Sequence, residues 1–191
     1  MNKAIIINAP SGTGKDVAAE YVAMYHGNFE KRQFKQPIYE IGAAIYNLTY
    51  ETMLMLCTDR SRKEKPHGVF DGLSPREALI FVSENVIKPN YGNDYFGRRV
   101  ADTFTSNHSY VFSDGGFKEE IEGVIKKIGI ENVLIIRAYR PGFTFNGDSR
   151  NYLDETMLPD VKFIDVNNDS TEKIFKNKIY KICRKFDQGI Y

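Results

Sequence analysis

A chain of 191 residues, 42% hydrophobic and 27% charged, suits a single globular domain with a sizeable core. Lys and Arg total 26 against 25 Asp and Glu, so the net charge of +1 gives no bulk case for a nucleic-acid coat or a membrane-surface protein. The opening MNKAIIINAP has too short an apolar run for a secretory leader, and no stretch approaches membrane-spanning length, which points to the cytoplasm.

In chain order, residues 4–8 form a continuous apolar run and read as a buried strand. Residues 14–26 follow as a helix. Residues 29–34 alternate weakly and suit an edge strand. A helix over 37–48 carries Ile38, Ile41, Ile45 and Leu48 in register, with Pro37 in its first turn, and 50–57 reads as another short helix. Residues 58–73 are charged and hold Pro66, Gly68 and Gly72, so they read as a loop. Ser74 is the expected N-cap of a helix over 74–86, with Pro75 as its first residue and Glu77 closing a capping box. Further helices are predicted over 94–104 and 117–128, with strands at 110–113, 133–136 and 161–166. Residues 141–160 are predicted to be a mobile loop. Asp169 and Glu172 suggest a second capping box before the last helix. Five strands interleaved with helices predict a three-layer α/β fold with a mainly parallel sheet, the strands at Ala4 and Val133 central and those at Glu30 and Lys162 at the edges. Cys57 and Cys183 lack metal-ligand spacing and read as buried thiols.

The sharpest feature is APSGTGKD, residues 9–16, between the first strand and the first helix. A phosphate-binding loop reads G-x-x-x-x-G-K-[ST] in that setting. Gly12 and Gly14 free the backbone to wrap around phosphate oxygens, so Ser11, Gly12, Thr13, Gly14, Lys15 and Asp16 are the expected ATP-binding residues. Lys15 would bridge the β- and γ-phosphates, and is expected to face solvent in the empty protein. Two positions depart from the pattern: Ala9 replaces the first Gly, and Asp16 replaces the hydroxyl residue that normally holds Mg²⁺.

Phosphoryl transfer needs a second anion site and cations over the transferring group. Arg60, Arg62, Lys63 and Lys65 cluster in one loop, Arg76 opens a helix, and Arg137, Arg140 and Arg150 flank the segment after the fourth strand. Asp114 ends the strand YVFSD. It reads either as the carboxylate ordering Mg²⁺ or as the N-cap of the following helix, and both roles are compatible.

These residues resemble the deoxynucleoside monophosphate kinases of tailed bacteriophages, within the P-loop nucleoside monophosphate kinases, from the phosphate loop to about residue 155. In GTGKD the Asp after Lys is usual for that family. FKQPIYEIG, RSRKEKP and GLSPREAL resemble its acceptor-binding segments, implying acceptor contacts from Lys35, Arg62, Lys63 and Arg76. VFSDGGFKEE implies that Asp114 is catalytic and, with Asp16, a metal residue. IIRAYRPG and DSRNYLDE resemble its lid, implying catalytic phosphate contacts from Arg137, Arg140 and Arg150 beside Lys15. Many relatives carry Arg two residues after the catalytic Asp. Here that position is Gly116, so the cation is either missing or supplied by Arg98 or Arg99.

The resemblance implies one P-loop kinase domain with strand order 2-3-1-4-5, an acceptor-binding helical insertion over about 35–105 and a lid over about 138–156. It also implies ATP and Mg²⁺ as cofactors, a dNMP acceptor, no nucleic-acid or membrane partner, a homodimer, and the host cytoplasm as location. A P-loop kinase of another small phosphorylated metabolite, or a nucleotide-binding regulatory protein with little turnover, would share the same phosphate loop.

Overall fold

The computed structural model describes residues 2–59 and 61–191. The chain divides into two compact units: residues up to Phe34 together with Gly97–Tyr191, and Lys35–Phe96.

The first unit is built on a five-stranded sheet in which every neighbouring pair is parallel. Its strands are β1 (Lys3–Asn8), β2 (Phe29–Arg32), β3 (Ser109–Phe112), β4 (Val133–Tyr139) and β5 (Lys162–Asn167), in the order β2-β3-β1-β4-β5. The expected order is therefore the observed one. β1 lies at the centre because its residues Ala4–Ile7 are apolar on both faces and buried on both. The polar strands β2 and β5 take the edges. Alternation sorts the side chains into two cores. Ile5, Ile7, Leu134, Ile136 and Ala138 meet α1 (Lys15–Tyr25) and α8 (Glu172–Asp187) through Ala18, Ala19, Val22, Phe175 and Ile179. Ala4, Ile6, Tyr110, Phe112, Val133 and Ile135 meet α7 (Lys118–Ile128) through Ile121 and Val124. This is the three-layer α/β arrangement of the P-loop fold.

The second unit packs α2 (Gln36–Ile45), α3 (Tyr50–Thr58) and α4 (Pro75–Phe81) around Tyr39, Met53, Leu56, Phe70 and Ala78. The Ser74–Glu77 capping box is present, with Pro75 at the first position. The helix predicted over 74–86 changes character: Val82–Ile87 is π-helical, and α5 (Lys88–Tyr91) follows. Pro89 supplies the physical reason, because it has no N–H to give and its ring crowds the carbonyl four residues earlier. The Lys88 N–H accordingly bonds Ser83, five residues back. α6 (Tyr95–Ala101) follows, with Gly97–Ala101 already belonging to the first unit.

The second expected capping box does not form. Thr171 caps α8 by accepting from the Ile174 N–H, and Asp169 instead pairs with Lys178 at 3.2 Å. Both cysteines are free thiols. Cys183 is fully buried, and Cys57 is partly buried with its pKa pushed up to about 11 by desolvation. Among the described residues no helix is long and apolar enough to cross a membrane.

Candidate active site

The loop from Ala9 to Gly14 leaves the C-terminal end of β1 and enters α1 without a side-chain cap. Gly14 is the N-cap, in the left-handed region at φ 88°, and Gly12 lies there too at φ 81°. L-residues with a Cβ pay for that conformation, so the two glycines are what let the backbone turn. The uncapped first turn of α1 leaves its N–H groups and dipole directed at the loop's mouth, the arrangement that receives phosphate.

The loop is held from three sides. Thr13 Oγ1 donates to the Pro10 carbonyl at 2.8 Å. Asn168, just beyond β5, donates from Nδ2 to the Thr13 carbonyl at 2.7 Å. Arg140, just beyond β4, donates from Nη1 to the Gly12 carbonyl at 2.7 Å and lies 4.6 Å over the Phe143 ring. That ring covers Gly12 so closely that a Cβ added there would come within 2.7 Å of its Cδ1. Ser11 and Gly12 are exposed at the rim.

Lys15 does not face solvent. It is 7% exposed, and its Nζ donates to the Pro10 carbonyl at 3.1 Å with the Asp16 carboxylate 3.9 Å away. Its long stem folds back across the loop it serves, so the ammonium has carbonyl and carboxylate partners where bulk water was expected. Asp16 reaches outward and accepts from Ser113 Oγ at 2.7 Å.

Asp114 follows Ser113 at the end of β3. Its Oδ1 accepts from the Phe34 N–H at 3.1 Å. The N-cap alternative is excluded: the cap of α7 is Phe117, three residues on, and it has no side-chain cap bond. Arg150 Nη1 donates to the Asp114 carbonyl at 3.2 Å, while Asp148 grips the same guanidinium through Nε at 3.0 Å and Nη2 at 2.7 Å. The hydrogen bonds to Asp148 raise the Arg150 pKa further above its ordinary value, against the effect of burial. The stem of Arg150 lies across Gly116, where an added Cβ would meet its Cδ at 2.6 Å. Arg150 thus fills the space beside Gly116, and Arg98 and Arg99 are exposed on α6.

Arg137 lies within β4, in register with Asn8 of β1. The strand expected to end at Ile136 runs on to Tyr139, so alternation puts Arg137 on the sheet face away from α1. There it bonds Asp165 through Nε at 2.5 Å and Glu155 through Nη1 and Nη2 at 3.1 Å each, and lies 4.9 Å over the Phe163 ring. The Asp165 hydrogen bonds, then those of Glu155, raise its pKa beyond its ordinary value.

The predicted acceptor residues all lie in or at the edge of the second unit. Arg62 pairs with Asp59 at 3.3 Å, Lys63 with Glu64 at 3.7 Å, and Arg76 with Glu64 at 3.2 Å. The Arg76 N–H also bonds the Lys63 carbonyl at 3.1 Å, which ties the loop to the start of α4. Ser61, Arg62, Lys65, Pro66 and His67 line a cavity of about 350 Å³. Lys35 is exposed before α2, near enough to Cys57 to oppose the rise in its thiol pKa. Arg60, of the same cluster, lies outside the described residues.

No family model matches the chain, and no curated protein matches it in sequence. A gluconokinase from Sinorhizobium meliloti 1021 superposes on it with a TM-score of 0.48. That likeness has 10% sequence identity and covers 100% of this chain and 95% of the other.

Four residues of the site were not anticipated from the sequence. Ser113 sits beside the Asp114 already singled out, and Asn8 and Asn168 are polar residues ending or following apolar strands, which is a weak signal. Asn8 is fully buried. Its Nδ2 donates to Asn151 O at 3.2 Å and Gly115 O at 3.4 Å, and its Oδ1 accepts from the Leu153 N–H at 2.9 Å. Phe143 carries no sequence signal.

Proposed function

We propose that the protein is an ATP-dependent phosphotransferase whose acceptor is a deoxynucleoside monophosphate, giving dNDP and ADP. The observation that carries the reading is the phosphate loop itself: two glycines at positive φ, an uncapped helix N-terminus, a lysine folded over the loop, and an arginine on its rim. The acceptor rests on the resemblance of the short motifs around Lys35, Arg62, Lys63 and Arg76, and on the basic lining of the cavity at Arg62, Lys65 and His67. By the same resemblance the enzyme acts in the cytoplasm as a homodimer.

The residues present fit both cofactors. Mg²⁺ asks for hard oxygen ligands, keeps several waters and is normally held by one or two carboxylates plus phosphate oxygens. Asp16, with its carboxylate exposed at the loop's mouth, is such a ligand, and Asp114 lies next to its partner Ser113. Bound Mg²⁺·ATP supplies the phosphoryl group and neutralises the charge that develops on it. The chain's own part is positioning. Backbone N–H groups of residues 12–16 receive phosphate oxygens, and Lys15 exchanges the Pro10 carbonyl for them. Arg140 and Arg150, both anchored at residues bordering the loop and Asp114, place fixed positive charge where it is needed without a covalent intermediate. Of the lid implied over about 138–156, the part between the end of β4 and Asn151 is the segment that would close and exclude water.

A screen of deoxy- and ribonucleoside monophosphates with coupled ADP detection tests the reading. A deoxynucleotide should stimulate ADP release. Stimulation only by another phosphorylated metabolite would replace the acceptor, and ATP binding with no stimulated release would replace the enzyme by a nucleotide-dependent regulator.

A further inference from the structure

In the common phosphate loop, the residue after Lys offers a hydroxyl to Mg²⁺ and the strand beside it offers a carboxylate. Here the loop itself carries a carboxylate, that of Asp16, and its partner on the strand end is a hydroxyl, that of Ser113 at 2.7 Å, one residue ahead of the carboxylate of Asp114. An ionised carboxylate only accepts, so the hydrogen belongs to Ser113 and points at Asp16 Oδ1. Ser113 is 1% exposed, at the end of a strand whose residues are all buried, so its hydroxyl is a fixed point. The side chain of Asp16 is 63% exposed and would otherwise sample several rotamers.

Resting on the Mg²⁺·ATP reading above, we propose that Ser113 is a positioning residue for the metal. Its hydroxyl holds one oxygen of Asp16 and so presents the other at the mouth of the phosphate loop. The bond also withdraws negative charge from a carboxylate that must sit near a triphosphate, a task shared with the Lys15 ammonium 3.9 Å away. Asp16 and Ser113 therefore act as one hydrogen-bonded unit beside Asp114, with the carboxylate on the loop and the hydroxyl on the strand.

The test measures Mn²⁺ binding, by electron paramagnetic resonance, to the protein saturated with a non-hydrolysable ATP analogue, alongside binding of the analogue in EDTA. Ser113→Ala should weaken Mn²⁺ about tenfold, the scale of a lost hydrogen bond to a charged group, and leave metal-free analogue binding within about twofold. Ser113→Thr should retain the wild-type Mn²⁺ affinity. Asp16→Ser alone should lose Mn²⁺ affinity, and Asp16→Ser with Ser113→Asp should recover most of it by placing the hydroxyl on the loop and the carboxylate on the strand. That reversal keeps the inference testable if Ser113→Ala folds poorly. Unchanged Mn²⁺ affinity in Ser113→Ala, or a double variant no better than Asp16→Ser, overturns the inference while leaving the nucleotide reading intact. A wild-type protein that binds the analogue neither with nor without metal overturns both.

Discussion

Gly12 offers a quantitative check on how the phosphate loop is held. Gly12→Ala meets two separate obstacles. The first is backbone strain, since φ is 81° and a residue with a Cβ loses ~1–2 kcal/mol in the left-handed region. The second is the Phe143 ring, whose Cδ1 lies 2.7 Å from where the new methyl would be. A ring at the end of its side chain can swing away, but doing so forfeits the stacking with Arg140 at 4.6 Å, worth ~0.5–1 kcal/mol at an exposed site. Gly12→Ala should then cost ~1.5–3 kcal/mol in the wild-type background. In a Phe143→Ala background only the backbone strain remains, so the cost should fall to ~1–2 kcal/mol. Urea unfolding of the four proteins of this cycle, followed by circular dichroism, reads the coupling directly. Equal costs in the two backgrounds would refute the claim that Phe143 is seated on the loop, and a neutral Gly12→Ala would refute the strain argument as well.

Lys15→Ala should lower turnover at least ~100-fold, the scale of a lost transition-state charge, with the fold retained because the Pro10 carbonyl keeps its bond from Thr13. Asp114→Asn should abolish most activity while ATP still binds: Asn keeps an acceptor for the Phe34 N–H, so unchanged unfolding midpoints with lost steady-state rate would separate chemistry from structure. Arg137→Ala should cost ~1–2 kcal/mol in unfolding and leave kcat within a few-fold, since it removes a stapling network and a packed stem. A selective fall in kcat would return Arg137 to the phosphates. Burial raises the Cys57 pKa from 9.0 to about 11, so the folded chain favours the neutral thiol. Its contribution to stability is complete below pH 9 and is lost as pH rises towards 11, and iodoacetamide at pH 8 should modify native Cys57 far more slowly than the unfolded chain. Equal rates would contradict the burial.

What could be read beforehand follows the range of the interactions involved. The apolar run at Ala4–Asn8 and the Ser74–Glu77 box depend on neighbours within a few residues, and they appear where expected. Arg137 lies inside β4 rather than after it, because apolarity marks where a strand is buried, not where its ladder stops, and three more residues of β4 continue to pair with β5. Asp169 was misread because two caps compete within three residues, and the frame of α8 favours Thr171. The contacts of Ser113 with Asp16 and of Asn168 with Thr13 join residues far apart in the chain, which no local pattern encodes.

The buried Asn8 amide has a mechanical consequence. One fully buried side chain satisfies backbone groups at Gly115, Asn151 and Leu153. Any opening of the strap that begins at Arg140 must therefore stop short of Asn151, or leave polar groups stranded in the interior. Asn8 is in effect the clasp of a purse: it sets how far a flap at 140–150 would travel, and one of its bonds fastens that limit to the Gly115 carbonyl beside Asp114. Slow exchange of the Leu153 amide beside faster exchange across 141–148 would be the signature of that boundary.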